Sequence, residues 1–306
     1  MNGETDPVTI VMATRNGAPF LAAQLDSIAG QSHRDWTLFV SDDGSTDATR
    51  SILADFARHH PVRLVEGPRQ GAAANFLSAL CHPELPAGIV ALADQDDVWL
   101  QGKLARGVRR MAASPGDGPL LYAAESLLTD AGLRPLRRSS AGRAQPGFPA
   151  ALCQNLFGGH TVMLNPSAVA LLRRAGAPAG IAYHDWWIYQ LIAGAGGRLV
   201  LDRAMVVQYR QHGANTLGGA GGLVAGLRRL ALAFDGTWGA QMQAQAQALA
   251  LVRDHLVPEA RAALDGFLAS PRRGAARIAA FRRLGIRRSS ASGNAMMLAA
   301  AGLGLL

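Results

Sequence analysis

Asp94, Asp96 and Asp97 stand within four residues of one another, directly after the apolar run Ile89-Val90-Ala91-Leu92-Ala93. Carboxylates crowded at the end of a buried strand repel one another, and a divalent cation relieves that repulsion. Hard oxygen ligands suit magnesium or manganese, and such ions keep open positions for substrate phosphates. Acidic turns also follow strands with no ion present. The cluster therefore acquires meaning only from the other polar groups that the fold brings to it.

The elements around the cluster say which groups those are. Val8 to Ala13 reads as a strand, and Phe20, Leu21, Leu25 and Ile28 mark one face of a helix. Trp36 to Val40 is the next strand and ends in Ser41-Asp42-Asp43-Gly44-Ser45-Thr46-Asp47. Ile52, Leu53 and Phe56 follow on a helix that Asp47 is placed to cap. Val62 to Val65 as strand, Ala72 to Leu80 as helix and Ile89 to Ala93 as strand continue the alternation. That rhythm predicts an α/β fold with a largely parallel sheet covered on both faces. Ligands of such sheets bind beyond the carboxyl ends of the strands. Thr14-Arg15-Asn16-Gly17, Asp42-Asp43 and the Asp94 to Asp97 cluster should therefore converge on one crevice.

From about Leu120 the pattern turns irregular, and the Pro-, Gly- and Arg-rich stretch from Arg134 to Pro149 reads as a mobile surface loop. Order returns at Asn155 to Leu164, where Gly158 and Gly159 permit a sharp turn or a close backbone approach. Asn165-Pro166 opens a helix, with Asn as cap and Pro at the first helical position. His184-Asp185-Trp186-Trp187 starts another helix, and the strand Met205 to Tyr209 delivers Arg210-Gln211-His212-Gly213. From Gly218 the chain reads as helical. Arg272 to Arg288 resembles an interfacial helix, with Ile278, Phe281 and Leu284 on one face among arginines. Ala295 to Leu306 is apolar but too short to span a bilayer.

The chain has 306 residues, 49% of them hydrophobic and 17% charged, which suits one large α/β domain with an appendage and excludes general disorder. Its formal charge of +8 resides in the last third, where Arg203 to Leu306 holds 13 arginines against 4 acidic residues. A basic surface of this kind suits water, an anionic membrane or a nucleic acid, and sign alone does not choose. Cys81 and Cys153 lack metal-ligand spacing and read as buried free thiols of a reducing compartment. Met1 to Pro7 shows no cationic start or cleavage site, so no secretion signal is expected.

Seven segments carry a resemblance to a known family. They are Val11-Met12-Ala13-Thr14-Arg15-Asn16-Gly17, Gln24-Leu25-Asp26-Ser27-Ile28, Ser41 to Asp47, Asp94-Gln95-Asp96-Asp97-Val98-Trp99 with Lys103-Leu104, Gly158-Gly159-His160-Thr161, His184-Asp185-Trp186-Trp187 and Tyr209-Arg210-Gln211-His212. In this order they resemble the family-2 inverting glycosyltransferases of the GT-A fold, and in particular bacterial rhamnosyltransferase-like members, over roughly Val8 to Gly218. The resemblance implies that Asp42 accepts from the N3–H of a uracil or thymine ring. Thr14, Arg15, Asn16, Arg69, Asn75 and Gln95 would complete the nucleotide-sugar site. Asp94 would face the ribose or the metal, Asp96 would bind a Mg2+ or Mn2+ ion that bridges the diphosphate, and His212 would complete that site. Arg210 would pair with phosphate oxygens, and Asp97 would orient the other carboxylates or cap a helix. Asp185 would be the general base for the acceptor hydroxyl. His184, Trp186, Trp187 and Gly159 would form an acceptor or sugar wall. Each role has a plainer counterpart: a turn cap for Asp42, a helix cap for Asp185, a structural ring for His212 and core packing for the tryptophans.

Arg15 departs from the family pattern, standing where many relatives carry an aromatic residue. The tail also lacks the membrane spans and the Gln-x-x-Arg-Trp block of processive polysaccharide synthases, which favours addition of one or a few sugars. The expected organisation is a GT-A (Rossmann-like) catalytic domain over 1–217, with a nucleotide-sugar half at about 1–115 and an acceptor half at about 116–217. A basic helical extension over 218–306 would contact a membrane or another copy of the chain. The expected activity is transfer of a sugar, most specifically L-rhamnose from dTDP-L-rhamnose, to a surface polysaccharide or lipid-linked oligosaccharide. The expected location is cytoplasmic, with peripheral contact to the inner face of the membrane. A sugar nucleotidyltransferase, a silent sugar-nucleotide sensor and a nucleic-acid-binding protein are the rivals. The tail arginines lack the interleaved aromatics expected of the last, so no nucleic acid is expected.

Overall fold

The protein is described by a computed structural model over residues 6–139, 144–212 and 235–306. In the first third, β1 (Val8–Thr14), α1 (Ala18–Ala29), β2 (Trp36–Asp42), α2 (Thr49–Phe56), β3 (Val62–Glu66), α3 (Ala72–Cys81) and β4 (Ile89–Ala93) alternate as the apolar periodicity predicts. Every residue of β1 and β4 is buried, which is why these strands are unbroken apolar runs, whereas the edge strand β3 is only partly covered.

The remaining strands are β5 (Val98–Trp99), β6 (Leu120–Thr129), β7 (Pro135–Arg138), β8 (Met163–Leu164) and β9 (Arg198–Arg210). They complete a nine-stranded sheet ordered β3-β2-β1-β4-β8-β6-β9-β5, with β7 paired to the free edge of β6. Pairing is parallel for β1 with β2 and β4, for β2 with β3, and for β6 with β9. It is antiparallel where β8 joins β4 to β6 and where β5 meets β9. Strand order reverses between β1 and β4, so Thr14 and Asp94 leave adjacent strands at the switch point where α/β sheets bind ligands.

Helices α4 (Lys103–Ala112), α5 (Phe148–Ala151), α6 (Pro166–Ala175) and α7 (His184–Gly194) belong to the second half of the sheet domain. Alternate residues of β1 face opposite cores. Val8, Ile10 and Met12 pack with Leu21, Leu25, Leu104 and Val108 on one side, and Val11 packs with Phe76, Leu80, Trp187 and Leu191 on the other. Four further helices, α8 (Thr237–Leu251), α9 (Pro258–Leu268), α10 (Gly274–Arg283) and α11 (Ala291–Leu303), join the second core through Met242, Leu249, Leu264, Phe281 and Met297. Among the described residues no helix is long and apolar enough to cross a membrane.

Several expectations change. The stretch after Leu120 is not irregular: β6 is a ten-residue strand in which charged and small residues mask the apolar pattern. Part of the expected loop is ordered as β7 and α5, while 140–143 lie outside the described residues. β9 begins seven residues before the expected Met205, because parallel pairing with β6 holds Arg198 to Leu201 extended. Cys81 is half-buried and only Cys153 is buried; both are free. The helix expected from Gly218 falls partly on 213–234, outside the described residues. On α10 the arginines are not uniformly a solvent face, since Arg277 is buried with its guanidinium over Phe267 and Phe281. Asn165 caps α6 as expected, accepting from the Ala168 N–H at 2.9 Å.

One buried ion pair ties α4 to β9 behind the site. Asp202 accepts from Arg106 Nε at 2.7 Å and Nη2 at 2.9 Å and from the Tyr122 hydroxyl at 3.2 Å. Burial works against the charged form, but the Arg106 hydrogen bonds outweigh it and hold the Asp202 carboxyl below its ordinary range. A carboxylate of this kind stabilises the fold above its unfolded pKa, and that contribution is lost as pH falls through the lowered value. Asp202→Asn is expected to cost about 2 kcal/mol at neutral pH in urea melts. The gap to the parent should close as the medium is acidified below the carboxylate range.

Candidate active site

The carboxyl ends of β1, β2 and β4, the turn Gly159–Thr161, the start of α7 and the end of β9 enclose a cavity of about 570 Å³. That volume suits a sugar nucleotide rather than a macromolecule. Of the residues singled out in the sequence, Thr14, Arg15, Asn75, Asp94, Gln95, Asp96, Gly159, His184 and Asp185 line it. Asn16, Asp42, Arg69, Arg210, Trp186, Trp187 and His212 do not.

The loops on the nucleotide side are fastened by polar contacts between distant segments. The Gln95 side-chain amide pairs with the Arg15 backbone, accepting from its N–H at 2.9 Å and donating to its carbonyl at 3.1 Å. A Cβ at Gly17 would meet Gln95 Oε1 at 2.2 Å, so only glycine admits this contact. Asn16, with φ +48°, accepts from the Thr46 N–H at 2.8 Å and donates its own N–H to Ser45 Oγ at 2.9 Å. Asp47 caps the start of α2 through the Thr49 N–H at 3.0 Å.

Asp42 differs from the role that the resemblance implies. It is fully buried, and its oxygens accept from Thr14 Oγ1 at 3.0 Å and from the Ser45 N–H at 3.0 Å and hydroxyl at 2.5 Å. It serves as the hub of the turn, and its neighbour Asp43 reaches the cavity wall instead. Asp43 accepts from the backbone N–H groups of Arg69 at 2.6 Å and Gly71 at 2.8 Å, so Arg69, with its backbone at φ +60°, supports Asp43 through its main chain from outside the cavity lining. Asn75 is 1% exposed, and its amide is occupied by Ser41.

The acidic cluster divides into an outer and an inner part. Asp96 lines the cavity and its Oδ2 lies 2.7 Å from His212 Nε2, while the His212 ring stacks on Phe20. Asp97 points inward and is fully buried; one oxygen accepts from the Arg210 N–H at 3.1 Å and the other has no hydrogen-bond partner. Arg210 is not a phosphate ligand here. Its Nε donates to the Asp96 carbonyl at 2.8 Å and its Nη1 to the Ala131 carbonyl, which joins the end of β9 to the acidic turn. Among the described residues, Asp94, Asp97 and His160 place ligand atoms within 4.8 Å of one another, a potential cation group that shares only Asp94 with the expected set of Asp94, Asp96 and His212.

Burial first, then the charges of Asp96 and Asp185, push the Asp94 carboxyl up to about 7, and Asp97 is raised well above its ordinary value by burial and by Asp94 and Asp96. Burial and the neighbouring Lys103 push His160 down to about 3, leaving a neutral imidazole stacked on Tyr209 at 4.2 Å. Lys103 is the only lysine in the chain. It is buried beneath the cluster, donates to the His160 carbonyl at 2.7 Å and lies 3.3 Å over the Trp99 ring. Burial lowers its pKa well below the usual value while Asp97 and Asp94 oppose that shift.

Across the cavity, Asp185 opens α7. Its Oδ2 accepts from the Gly159 N–H at 2.9 Å and its Oδ1 from the Trp186 N–H at 2.8 Å, so the carboxylate, in the first turn of α7, is fixed by two backbone donors and faces the cavity. Trp186 and Trp187 are both core residues, since α7 turns them away from the cavity; Trp186 Nε1 donates to the Ala151 carbonyl at 2.7 Å. The aromatic wall consists instead of Phe76, Tyr183 and Tyr209, with the His184 ring stacked 4.0 Å from Phe76. Asp43, Lys103, His160, Tyr209 and the cavity-lining Arg137 escaped the sequence reading as site residues. The single lysine beside an acidic cluster was the available signal for Lys103. Tyr209 stood in one of the segments that carry the resemblance, without a role, and Arg137 carries no signal, because strand pairing alone brings it over the cavity.

The architecture is the GT-A fold. Solved structures share the fold: a mannosyltransferase from Pyrobaculum calidifontis in complex with GDP-Man and Mn2+ superposes with a TM-score of 0.54 at 21% identity, covering 97% of this chain and 86% of that one. S. aureus TarS 1-349 in complex with UDP-GlcNAc does so with a TM-score of 0.54 at 12% identity, covering 98% of this chain and 90% of that one. Residues 9–127 match the profile of glycosyl transferase family 2. It is 25% identical to a dTDP-rhamnosyl transferase, RfbG of Shigella flexneri, over 72% of this chain and 78% of that protein. It is 30% identical to a UDP-Glc:alpha-D-GlcNAc-diphosphoundecaprenol beta-1,3-glucosyltransferase, WfgD of Escherichia coli, over 34% of this chain and 40% of that protein.

Gly159 permits the closest contact of the acceptor side, because a Cβ there would lie 2.7 Å from His184 Nε2 and 3.4 Å from the Asp185 Cβ. Gly159→Ala is expected to shift Asp185 and to lower the transfer rate by about 100-fold while the far-ultraviolet circular dichroism is unchanged.

Proposed function

We propose that the protein is an inverting, divalent-cation-dependent hexosyltransferase that moves a sugar from a nucleoside diphosphate donor to a hydroxyl of a surface-polysaccharide or lipid-linked oligosaccharide acceptor. The observation that carries this reading is the Asp185 carboxylate, fixed by two backbone N–H groups on the wall that faces Asp94 and Asp96. L-rhamnose from dTDP-L-rhamnose is the donor that the most extensive of the reported sequence alignments supports. A uridine diphosphate sugar is the alternative, in keeping with the shorter glucosyltransferase match.

The residues suit a cation. Asp94 and Asp96 line the cavity with mutually repelling oxygens, and a His212 ring nitrogen lies against Asp96. Asp94, Asp96 and His212 would hold Mg2+ or Mn2+, and Asp97, sealed from the cavity, would orient them. When bound, the ion supplies positive charge against the departing diphosphate. The steps of this chain's own residues are then few. Asp43, the Arg15 main chain and the loop over Asn75 frame the nucleotide. Arg15 and Arg137 stand on the wall as cations for the phosphates. Asp185 takes the proton of the acceptor hydroxyl as its oxygen bonds to the anomeric carbon from the side opposite the diphosphate. The bond from anomeric carbon to phosphate oxygen breaks with its electrons on the diphosphate, which inverts the sugar. Tyr209 and Phe76 give the sugar an apolar face.

Thermal-shift panels of nucleoside diphosphate sugars with and without Mn2+ test the donor side. Stabilisation by a thymidine or uridine diphosphate sugar is expected only with metal and should vanish in Asp96→Ala. Asp185→Asn is expected to keep that stabilisation and to lose transfer by roughly 100- to 10,000-fold. Retention of transfer in Asp185→Asn would overturn the assignment of the base.

Exposed arginines at 272, 273, 282, 283 and 287, with the exposed Leu303, support peripheral contact with an anionic membrane on its cytoplasmic face. Flotation with phosphatidylglycerol vesicles, and none with phosphatidylcholine vesicles, is the expected result.

A further inference from the structure

The active-site cavity has neighbours. It shares Gly158 and His160 with a second cavity of about 210 Å³, which in turn shares Gln154, Leu156 and Ser289 with a third of about 220 Å³. The chemistry changes along this track. The middle cavity offers Glu125, Ser126 and Asn155 beside the neutral His160, and no arginine. Hydroxyl, amide and carboxylate groups in that proportion suit the hydroxyls of an uncharged sugar and disfavour an anion. The far cavity reverses the sign: Arg287 and Arg288 line it with Gln145, and no acidic residue does.

The arginines are placed there by contacts between the sheet domain and the C-terminal helices. Gln154 and Ser289 form a reciprocal pair, the Ser289 N–H donating to Gln154 Oε1 at 2.8 Å and Gln154 Nε2 to Ser289 Oγ at 2.9 Å. Arg288 lies over the Trp238 ring at 4.7 Å and donates Nη1 to the Cys153 carbonyl at 3.3 Å. Among the described residues neither arginine has a carboxylate within salt-bridge distance. A half-buried guanidinium without a counter-ion favours an incoming anion, and two adjacent ones match the oxygens of a phosphoryl group.

We propose that the three cavities form the acceptor channel and that Arg287 and Arg288 bind a phosphate or diphosphate group of the acceptor, a sugar unit away from the hydroxyl that Asp185 deprotonates. The inference rests on the glycosyltransferase reading of Asp185 and adds to it the class of acceptor: a saccharide whose remote end carries a phosphoryl group.

The test uses the full chain, metal-free, with decyl diphosphate as probe and decyl glucoside as the neutral control. Binding is read by calorimetry and by tryptophan fluorescence, since Trp238 adjoins Arg288. Decyl diphosphate should bind and decyl glucoside should bind far more weakly. Affinity should fall about tenfold in Arg287→Ala, an exposed position, and persist in Arg288→Lys and Asp185→Asn. Donor stabilisation with Mn2+ should be the same in Arg287→Ala as in the parent. Equal binding by the parent and Arg287→Ala, or displacement of the probe by a nucleoside diphosphate, overturns the proposal. Arg287-dependent binding to phosphatidylglycerol vesicles without affinity for decyl diphosphate also overturns it, because the arginines then serve a bilayer. Arg287-dependent probe binding in a protein that binds no sugar nucleotide would uphold the anion site and count against the glycosyltransferase reading instead.

Discussion

Four carboxylates, those of Asp94, Asp96, Asp97 and Asp185, share one end of the sheet, and the rest of the site is arranged around the cost of keeping them there. Two of them, Asp94 and Asp97, have their pKa values raised by burial and by one another. The protein meets this with the Arg210 backbone N–H for Asp97, the Gly159 and Trp186 N–H groups for Asp185, His212 against Asp96, and the Lys103 ammonium, buried nearby and bonded to the His160 carbonyl. Each donor belongs to a different element, so the cluster also fixes where α4, β9, the turn Gly159–Thr161 and α7 come together. A group of like charges that stays partly unrelieved favours an incoming cation, which is the electrostatic basis of the proposed activity.

The two sides of the cavity are built differently. On the nucleotide side, loops after parallel strands are joined by side-chain amides and hydroxyls, as in the Gln95 contact with Arg15 and the Asn16 contact with Thr46. Short polar side chains acting on backbone make a rigid rim with little exposed charge. On the acceptor side the wall is aromatic and helical, and it continues toward the C-terminal helices through Gly158, Gln154 and Ser289. Those helices share the core of α5 and α7, so the far end of the track is held as firmly as the base.

Much of this was legible in the residues. The buried strands β1, β2 and β4 announce themselves as apolar runs that end in polar turns, and the parallel α/β arrangement follows from their spacing with helices. Thr14, Asp94, Asp96, Gly159 and Asp185 were identifiable because each sits in such a turn or at a helix start, where local sequence decides geometry. β6 was not legible: Ala123, Ala124 and Ser126 are buried while Leu127 and Leu128 are only partly so, and its apolar pattern therefore does not follow its burial.

Side-chain direction at the site is a different matter. Asp42 and Asp43 are neighbours of identical chemistry, and sequence offers no means of telling which faces the cavity; the pleat of β2 and the pairing of Thr14 with Asp42 decide it. Trp186 and Trp187 look like a sugar platform until the packing of α7 against the sheet sends both into the core. Arg210 resembles a phosphate ligand until β9 is paired with β6 and its guanidinium meets backbone carbonyls. By itself the sequence determined the fold class and the strand ends, because these rest on local periodicity and turn chemistry. Only the tertiary structure decided which of two adjacent groups works on a ligand and which holds the protein together, because that depends on contacts between segments up to a hundred residues and more apart, such as Asp96 and His212.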